Sequence, residues 1–177
     1  MRNSENQGEV NGMKQTNVFK KGKMQTPIFD FLTNIPLFEG LKKGEIEYIA
    51  KHMSYIELSK DEILFNEGEK GNYVCFVVEG TLDVIKHSLT GESVIITALH
   101  RGRSIGEMSV IDDFPRSATV KARTEAKLVI LTREGLDTTL EENPSVGIEI
   151  LKKISRLLSL NLRKTSSRLA DYMLPLT

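Results

Sequence analysis

The feature that most constrains the fold is a series of seven short runs rich in β-branched and aromatic residues between positions 54 and 132. Each run has the length of a β-strand and is too short for a typical helix. Turn residues separate the runs, for example at Glu79-Gly80 and Arg101-Gly102. Short strands joined by polar turns predict an antiparallel sandwich or barrel. The predicted strands are Tyr55–Leu58, Glu62–Phe65, Tyr73–Val78, Thr81–Ile85, Ser93–Leu99, Ala118–Ala122 and Lys127–Leu131.

Helical spacing of apolar residues returns on both sides of this series. Between residues 27 and 53 it predicts two or three short helices. After the last strand it predicts a short helix over Arg133–Leu140 and a long helix from Ser145 to about Tyr172, with Asn143 or Ser145 available as its cap. A continuous helix of that length extends over ~40 Å. The apolar face assigned to the amino-terminal helices comprises Leu41, Ile46, Ile49, Ala50 and Met53.

An apolar stripe runs along the long helix at steps of three, four or seven residues. Ser155 and Thr165 occupy the intervening positions of this seam. Because one small domain cannot cover such a stripe along its whole length, we predict a parallel homodimer formed through the helix. A kinked helix that folds back over its own domain is the alternative, and the two arrangements are compatible. The stripe consists of Leu151, Leu158, Leu162, Leu169, Tyr172 and Leu176.

Residues 106–120, with the sequence GEMSVIDDFPRSATV, combine groups suited to one small anion that also carries hydroxyls. Arg116 offers a planar fork of N–H donors for a phosphate, Ser117 adds a hydroxyl, and backbone N–H groups after Gly106 can point at the same oxygens. Glu107 is an acceptor, which would repel a phosphate unless the ligand also brings a donor such as a ribose 2′-hydroxyl. Phosphate together with ribose indicates a nucleotide.

This segment resembles the phosphate-binding cassette of cyclic nucleotide-binding domains, the module of catabolite activator proteins, of regulatory subunits of cyclic-AMP-dependent kinase and of cyclic-nucleotide-gated channels. The family pattern is Phe-Gly-Glu-aliphatic-Ala/Ser, then a few variable residues and Arg-Ser/Thr/Ala-Ala. Gly106 to Ser109 and Arg116 to Ala118 match it, and only Ile105 replaces the aromatic residue.

The resemblance implies a mainly β fold with flanking helices: a double-stranded β-helix, or jelly-roll-like β-roll, with amino-terminal helices and a long carboxy-terminal helix. The turn glycines of the family match Gly68, Gly80, Gly102 and Gly106, which are expected where φ is positive or two backbones approach closely. The ligand-binding residues that it implies in the cassette are Gly106, Glu107, Met108, Arg116, Ser117 and Ala118.

Two residues of the long helix extend the resemblance. Leu162-Arg163-Lys164-Thr165-Ser166 is similar to the Leu-x-x-Thr-Ser of catabolite activator proteins, in which the Thr and the Ser bond the adenine and the Ser comes from the partner subunit. The resemblance implies that Thr165 contacts the base in its own subunit and that Ser166 reaches across a dimer. The match needs about one extra helical turn after Pro144, and both hydroxyls could instead be exposed or bonded to the preceding turn.

Simpler interpretations exist for the cassette residues as well. Arg116 could be a surface arginine paired with Asp112 or Asp113, but the family's turn after the proline directs the guanidinium inward. Glu107 could interact with the dipole of a helix amino terminus, which is compatible with a role in ligand binding. Met108 and Val110 are expected to belong to the pocket wall and the core.

The composition suits one soluble domain with an arm. Residues 1–26 are polar and are expected to be disordered, residues 27–142 form the ligand-binding β-roll with its amino-terminal helices, and residues 143–177 form the long helix. Twenty-four basic and 24 acidic residues balance, and no apolar run approaches the ~20 residues that span a bilayer. The lone Cys75, in an apolar run, is expected to be a core thiol in a reducing compartment. We therefore expect a cytoplasmic protein that binds neither DNA nor membranes.

The function that these patterns favour is a non-enzymatic sensor that binds a cyclic nucleotide, cyclic AMP rather than cyclic GMP, and passes the signal to an effector protein that the sequence does not identify. A transcription factor is not expected, because only five residues follow Tyr172. A cupin-like metalloenzyme is not expected, because His52, His87 and His100 are isolated from one another, and we expect no metal. A β-roll that dimerises as a scaffold without a ligand is the remaining alternative.

Overall fold

The computed structural model describes residues 31–88 and 91–173. Eight antiparallel strands form two four-stranded sheets, with the orders β1-β8-β3-β6 and β2-β7-β4-β5. The mainly β fold with flanking helices is confirmed, as is every predicted strand to within a few residues. The strands are β1 (Met53–Leu58), β2 (Ile63–Phe65), β3 (Tyr73–Glu79), β4 (Leu82–His87), β5 (Ser93–Leu99), β6 (Ser104–Ile105), β7 (Thr119–Ala122) and β8 (Ala126–Thr132).

Three α-helices that lie wholly within the described residues flank the sheets, α1 (Lys43–Ala50), α2 (Arg133–Glu142) and α3 (Pro144–Met173), and residues 31–33 are helical as well. Short 3-10 helices lie at Pro36–Phe38 and Glu107–Val110. The predicted long helix is confirmed. The assignment of Met53 to a helical face is wrong, because Met53 pairs with Leu131 as the first residue of β1. None of the helices in residues 31–88 and 91–173 combines the length and the apolar character needed to cross a membrane.

The central strands β3 and β8 of the first sheet are buried on both faces, which explains why β8 is almost continuously apolar. Leu128 and Ile130 face the second sheet, whereas Val129 and Leu131 face the helices. Cys75 lies in the core between the sheets, as predicted, and burial raises the pKa of its thiol to about 12. The fold therefore has one core between the sheets and a second one between the first sheet and the helices.

Only the first half of α3 belongs to the second core. Val146, Ile150 and Ile154 are buried at helical spacing, and a Cβ atom on Gly147 would lie 2.7 Å from Leu140 Cδ2, so α2 and α3 pack closely there. Beyond Leu158 the apolar stripe is exposed, for example 68% at Leu162 and 57% at Leu169. The expected disordered arm, the start of the amino-terminal helices and Leu176 lie outside the described residues.

Candidate functional site

The cassette begins with a sharp turn at Gly106, between β6 and the 3-10 helix that starts at Glu107. Gly106 has φ +86°, a conformation that glycine adopts without strain. A Cβ atom at this position would lie 2.3 Å from Arg116 Nη1 and 3.0 Å from the carbonyl oxygen of Tyr73. Glycine is therefore required here both by the turn and by the close approach of the arginine.

Arg116 is buried, with only 4% of its surface exposed. Its Nη1 donates hydrogen bonds to the carbonyl oxygen of Tyr73 at 3.1 Å, to Ser109 Oγ at 3.0 Å and, more weakly, to the carbonyl oxygen of Gly106 at 3.4 Å. The prediction that the guanidinium points inward is confirmed, and the alternative of a surface ion pair is wrong, since Asp113 pairs with Arg133.

Aromatic rings line the guanidinium of Arg116. Its Cζ lies 4.0 Å from the ring centroid of Phe65 and 4.4 Å from that of Tyr73, distances typical of cation–π contacts. Its Nε and Nη2 atoms are buried and have no hydrogen-bond partner in the described chain. Since an unpartnered buried donor costs about 1–3 kcal/mol, and more on a charged group, these two nitrogens fit an anionic ligand.

The backbone around Arg116 fixes the position of its side chain. The amide of Arg116 donates to the carbonyl of Glu69 at 2.8 Å, and its carbonyl accepts from Gly68 at 2.9 Å. On the same side, a Cβ atom on Gly71 would lie 2.4 Å from Arg116 Nε and 2.6 Å from Ser109 Oγ. The turn between β2 and β3 therefore forms one wall of the arginine's niche.

Glu107 is the second buried charged residue of the site, with 7% exposure. Its Oε1 accepts a hydrogen bond of 3.1 Å from Asn161 Nδ2 of α3, while its Oε2 is buried without a partner in the described chain. Burial raises the pKa of Glu107, against the opposing influence of Arg103, Asn161 and Arg116. An acid in this state fits a ligand hydroxyl that can donate to Oε2.

The other cassette residues differ in exposure. Ala118 is buried at 7%, whereas Ser117 is exposed. Of the two residues expected in the pocket wall and the core, Val110 is buried at 5%, whereas the short 3-10 helix leaves Met108 46% exposed and outside the core.

The two predicted residues of the long helix lie beyond the buried part of α3. Thr165 and Ser166 are both exposed in the single chain and lie four and five residues after Asn161. Because residues four apart lie on one helix face, Thr165 shares a face with Asn161. The helix thus reaches the cassette at Asn161 and continues past it.

Sequence reasoning missed several residues that complete the site. Asn161 is a polar interruption of the run Leu157-Leu158-Ser159-Leu160-Asn161-Leu162, which is the one sequence signal that could have marked it. Arg133, the first residue of α2, donates through Nη2 to the carbonyl of Ser109 at 2.7 Å and to that of Asp112, and it pairs with Asp113. These bonds connect the cassette to the first residue of α2.

No group of three or more His, Cys, Asp and Glu side chains suited to a metal ion occurs in residues 31–88 and 91–173. Two of the histidines instead contact hydroxyls: His87 Nδ1 lies 3.1 Å from Ser93 Oγ, and His100 Nδ1 lies 3.1 Å from Thr81 Oγ1. What the site offers chemically is a buried cationic donor, Nε and Nη2 of Arg116, and a buried acceptor, Oε2 of Glu107.

Comparisons with known proteins agree with this geometry. The family model described as the cyclic nucleotide-binding domain matches residues 55–143. A CRP-like cAMP-activated global transcriptional regulator of Mycobacterium tuberculosis is 25% identical over 144 residues, which are 81% of this chain and 62% of the relative. A cAMP-dependent protein kinase regulatory subunit of Mycosarcoma maydis is 34% identical over 121 residues, 67% of this chain and 23% of the relative. The chain thus spans less than two thirds of the length of these curated relatives.

A solved structure shares the same architecture. The cyclic nucleotide-binding domain from Methylobacillus flagellatus superposes with a TM-score of 0.75 at 29% identity, covering 83% of both chains. The two curated relatives are named as regulators, and the matched region contains both buried charged residues of the cassette. The chain belongs to the cyclic nucleotide-binding domain family.

Proposed function

We propose that this chain is a sensor that binds a cyclic nucleotide at its cassette and transmits binding to α3. The observation that carries the proposal is the pair of buried charged groups with unused hydrogen-bonding capacity: Nε and Nη2 of Arg116, and Oε2 of Glu107. A cyclic phosphate next to a ribose 2′-hydroxyl supplies an acceptor for the first and a donor for the second.

Each cassette residue has a role in this proposal. Arg116 holds the phosphate through these two nitrogens, and the exposed hydroxyl of Ser117 and the backbone N–H groups after Gly106 add further donors. Glu107 accepts from the 2′-hydroxyl. Gly106 lets the ligand and Arg116 approach the backbone closely. Met108 and Ala118 supply the apolar sides of the site.

The base is proposed to meet α3. Thr165 lies one helical turn, about 6 Å, beyond Asn161 and on the same face, which favours contact with a base whose ribose is held by Glu107. Ser166 then contacts the base of the nucleotide that is bound to a second chain. Cyclic AMP is the proposed ligand, because both relatives carry cAMP in their names, and cyclic GMP is the competing candidate.

We further propose that residues 27–142 bind the ligand and that residues 143–177 respond to it. The exposed stripe from Leu162 to Tyr172 favours a parallel homodimer, because burial of leucines of the stripe against a second copy stabilises by about 1.5–3 kcal/mol each. An effector protein that recognises the ligand-bound helix would receive the signal. No catalytic step is needed for this role.

Thermal denaturation with cyclic AMP, cyclic GMP and AMP tests the proposal. A ligand at 100 times its dissociation constant stabilises the folded state by about 2.7 kcal/mol, which is readily measured as a rise in Tm. We expect the largest rise with cyclic AMP and little with AMP, whose doubly charged, flexible phosphate does not match the cassette. Equal, negligible shifts with all three would refute the sensor and favour the dimeric scaffold without a ligand.

A further inference from the structure

The carboxylate of Glu107 has two oxygens in different situations. Oε1 is bonded to Asn161 Nδ2 at 3.1 Å, and Oε2 is buried and unpartnered in the described chain. A carboxylate only accepts hydrogen bonds, so the Asn161 carboxamide must present its N–H group to it. The bond fixes the rotation of the carboxylate and leaves one oxygen for another donor.

Asn161 occupies a particular place on α3. Three residues earlier, Leu158 packs against the core beneath the helices, whereas Leu162 immediately after it is 68% exposed. The Asn161 contact is thus the last described hydrogen bond between α3 and the β-roll before the helix becomes exposed. A change in the position of the Glu107 carboxylate would therefore alter the hydrogen bond to α3 at the residue where the helix becomes exposed.

We propose that Asn161 is a positioning residue: it holds Oε1 of Glu107 so that Oε2 is presented to the ribose 2′-hydroxyl, and it thereby couples ribose recognition to the docking of α3. The inference rests on the proposed function. Because coupling between two interactions is reciprocal, a ligand that orders Glu107 also strengthens the bond to the helix. In the opposite arrangement the 2′-hydroxyl donates to Oε1 and displaces Asn161. Removal of Asn161 would then strengthen ligand binding, and the ligand would weaken the docking of α3.

The test compares wild-type protein with Asn161→Ala and Asn161→Asp by titration calorimetry with cyclic AMP and its 2′-deoxy analogue. We expect Asn161→Ala to weaken cyclic AMP binding roughly two- to tenfold, the net worth of one hydrogen bond, and to shrink the preference for the ribose over the deoxyribose. Asn161→Asp should lose more, because its carboxylate cannot donate and repels Glu107. Ser159→Ala is the control, because it replaces an exposed residue of the same helix and raises helix propensity as Asn161→Ala does. It should leave the affinity for cyclic AMP and the preference for the ribose unchanged.

Hydrogen exchange provides a second readout that a purely structural role would not move. Amides around residues 158–166 should exchange more slowly when wild-type protein binds cyclic AMP, and this protection should be lost in Asn161→Ala at saturating ligand. Unchanged or tighter binding by Asn161→Ala, or an unchanged preference for the ribose, overturns the inference while the sensor stands. Failure of the wild-type protein to bind either nucleotide overturns both.

Discussion

Replacing Arg116 with lysine isolates the contribution of the guanidinium fork. Nη1 is already committed to the carbonyl of Tyr73 and to Ser109, so the proposed ligand contacts come from Nε and Nη2. A lysine keeps the positive charge, but its single ammonium group cannot reach these neutral oxygens and form two parallel bonds to a phosphate as well. At least one charge-assisted hydrogen bond to the ligand is lost.

The expected loss of affinity follows from that count. A hydrogen bond to a charged group contributes about 1.5–3 kcal/mol, which corresponds to roughly a 10- to 150-fold change in dissociation constant. Titration calorimetry with cyclic AMP measures it directly. Arg123→Lys is the matched control, because Arg123 also binds through a fork, to both oxygens of Asp83, but lies outside the cassette. We expect the control to bind as the wild-type protein does.

The folded state must be checked alongside affinity. Arg116→Lys also removes hydrogen bonds that the charged guanidinium donates to Tyr73 and Ser109, each worth about 1.5–3 kcal/mol, so a loss of stability is expected. Titrations at a temperature well below the Tm of the variant separate this loss from the loss of binding. If the folded variant binds cyclic AMP as tightly as the wild-type protein, Arg116 does not hold the phosphate and the assignment of the site is wrong.

Three other changes test neighbouring parts of the argument. Gly71→Ala places a methyl group against the guanidinium of Arg116, so we expect a lower Tm and at least tenfold weaker binding of cyclic AMP. An unchanged Tm and affinity would mean that the arginine can move away from the methyl group. Burial raises the pKa of Glu107 above its usual 4.5, so its ionisation opposes folding as pH rises from about 4.5 through the raised pKa. In urea, the free energy of unfolding of Glu107→Gln should therefore exceed that of the wild type at pH 8 but not at pH 4. The same difference at both pH values would contradict this. Leu162→Glu with Leu169→Glu should turn a dimer into a monomer in sedimentation, and an unchanged mass would exclude the stripe as the interface.

The strands and the long helix could be predicted because their signals are local. Short runs of β-branched and aromatic residues identify β3 and β8, and helical spacing identifies α3. β6 was missed because it has two residues, Ser104 and Ile105, which are held as a strand by their pairing with Phe76 and Cys75. Met53 was misassigned because its apolar character fits the last turn of a helix as well as the first residue of a strand.

The cassette could be predicted because its residues are close in sequence, and the rest of the site could not. Phe65 of β2 and Tyr73 of β3 reach Arg116 from strands of different sheets, and Asn161 reaches Glu107 across 54 positions. Nothing in the composition of those segments distinguishes a ring that packs in the core from one that supports a buried cation. Such contacts depend on the closure of the two sheets and on the angle at which α3 leaves α2.

The two charged groups of the cassette, each with unpartnered buried atoms, are held in place by their surroundings. An unpartnered buried donor or acceptor is tolerated only if the fold cannot relax to satisfy it. Here the turn at Gly71 blocks one side of Arg116, and Arg133 holds the backbone at Ser109 and Asp112. The cassette thus stores a deficit of hydrogen bonds that only a ligand with both an acceptor and a donor can remove. Because Glu107 is already bonded to Asn161 of α3, the proposed relay from the ligand to the helix would begin at this contact.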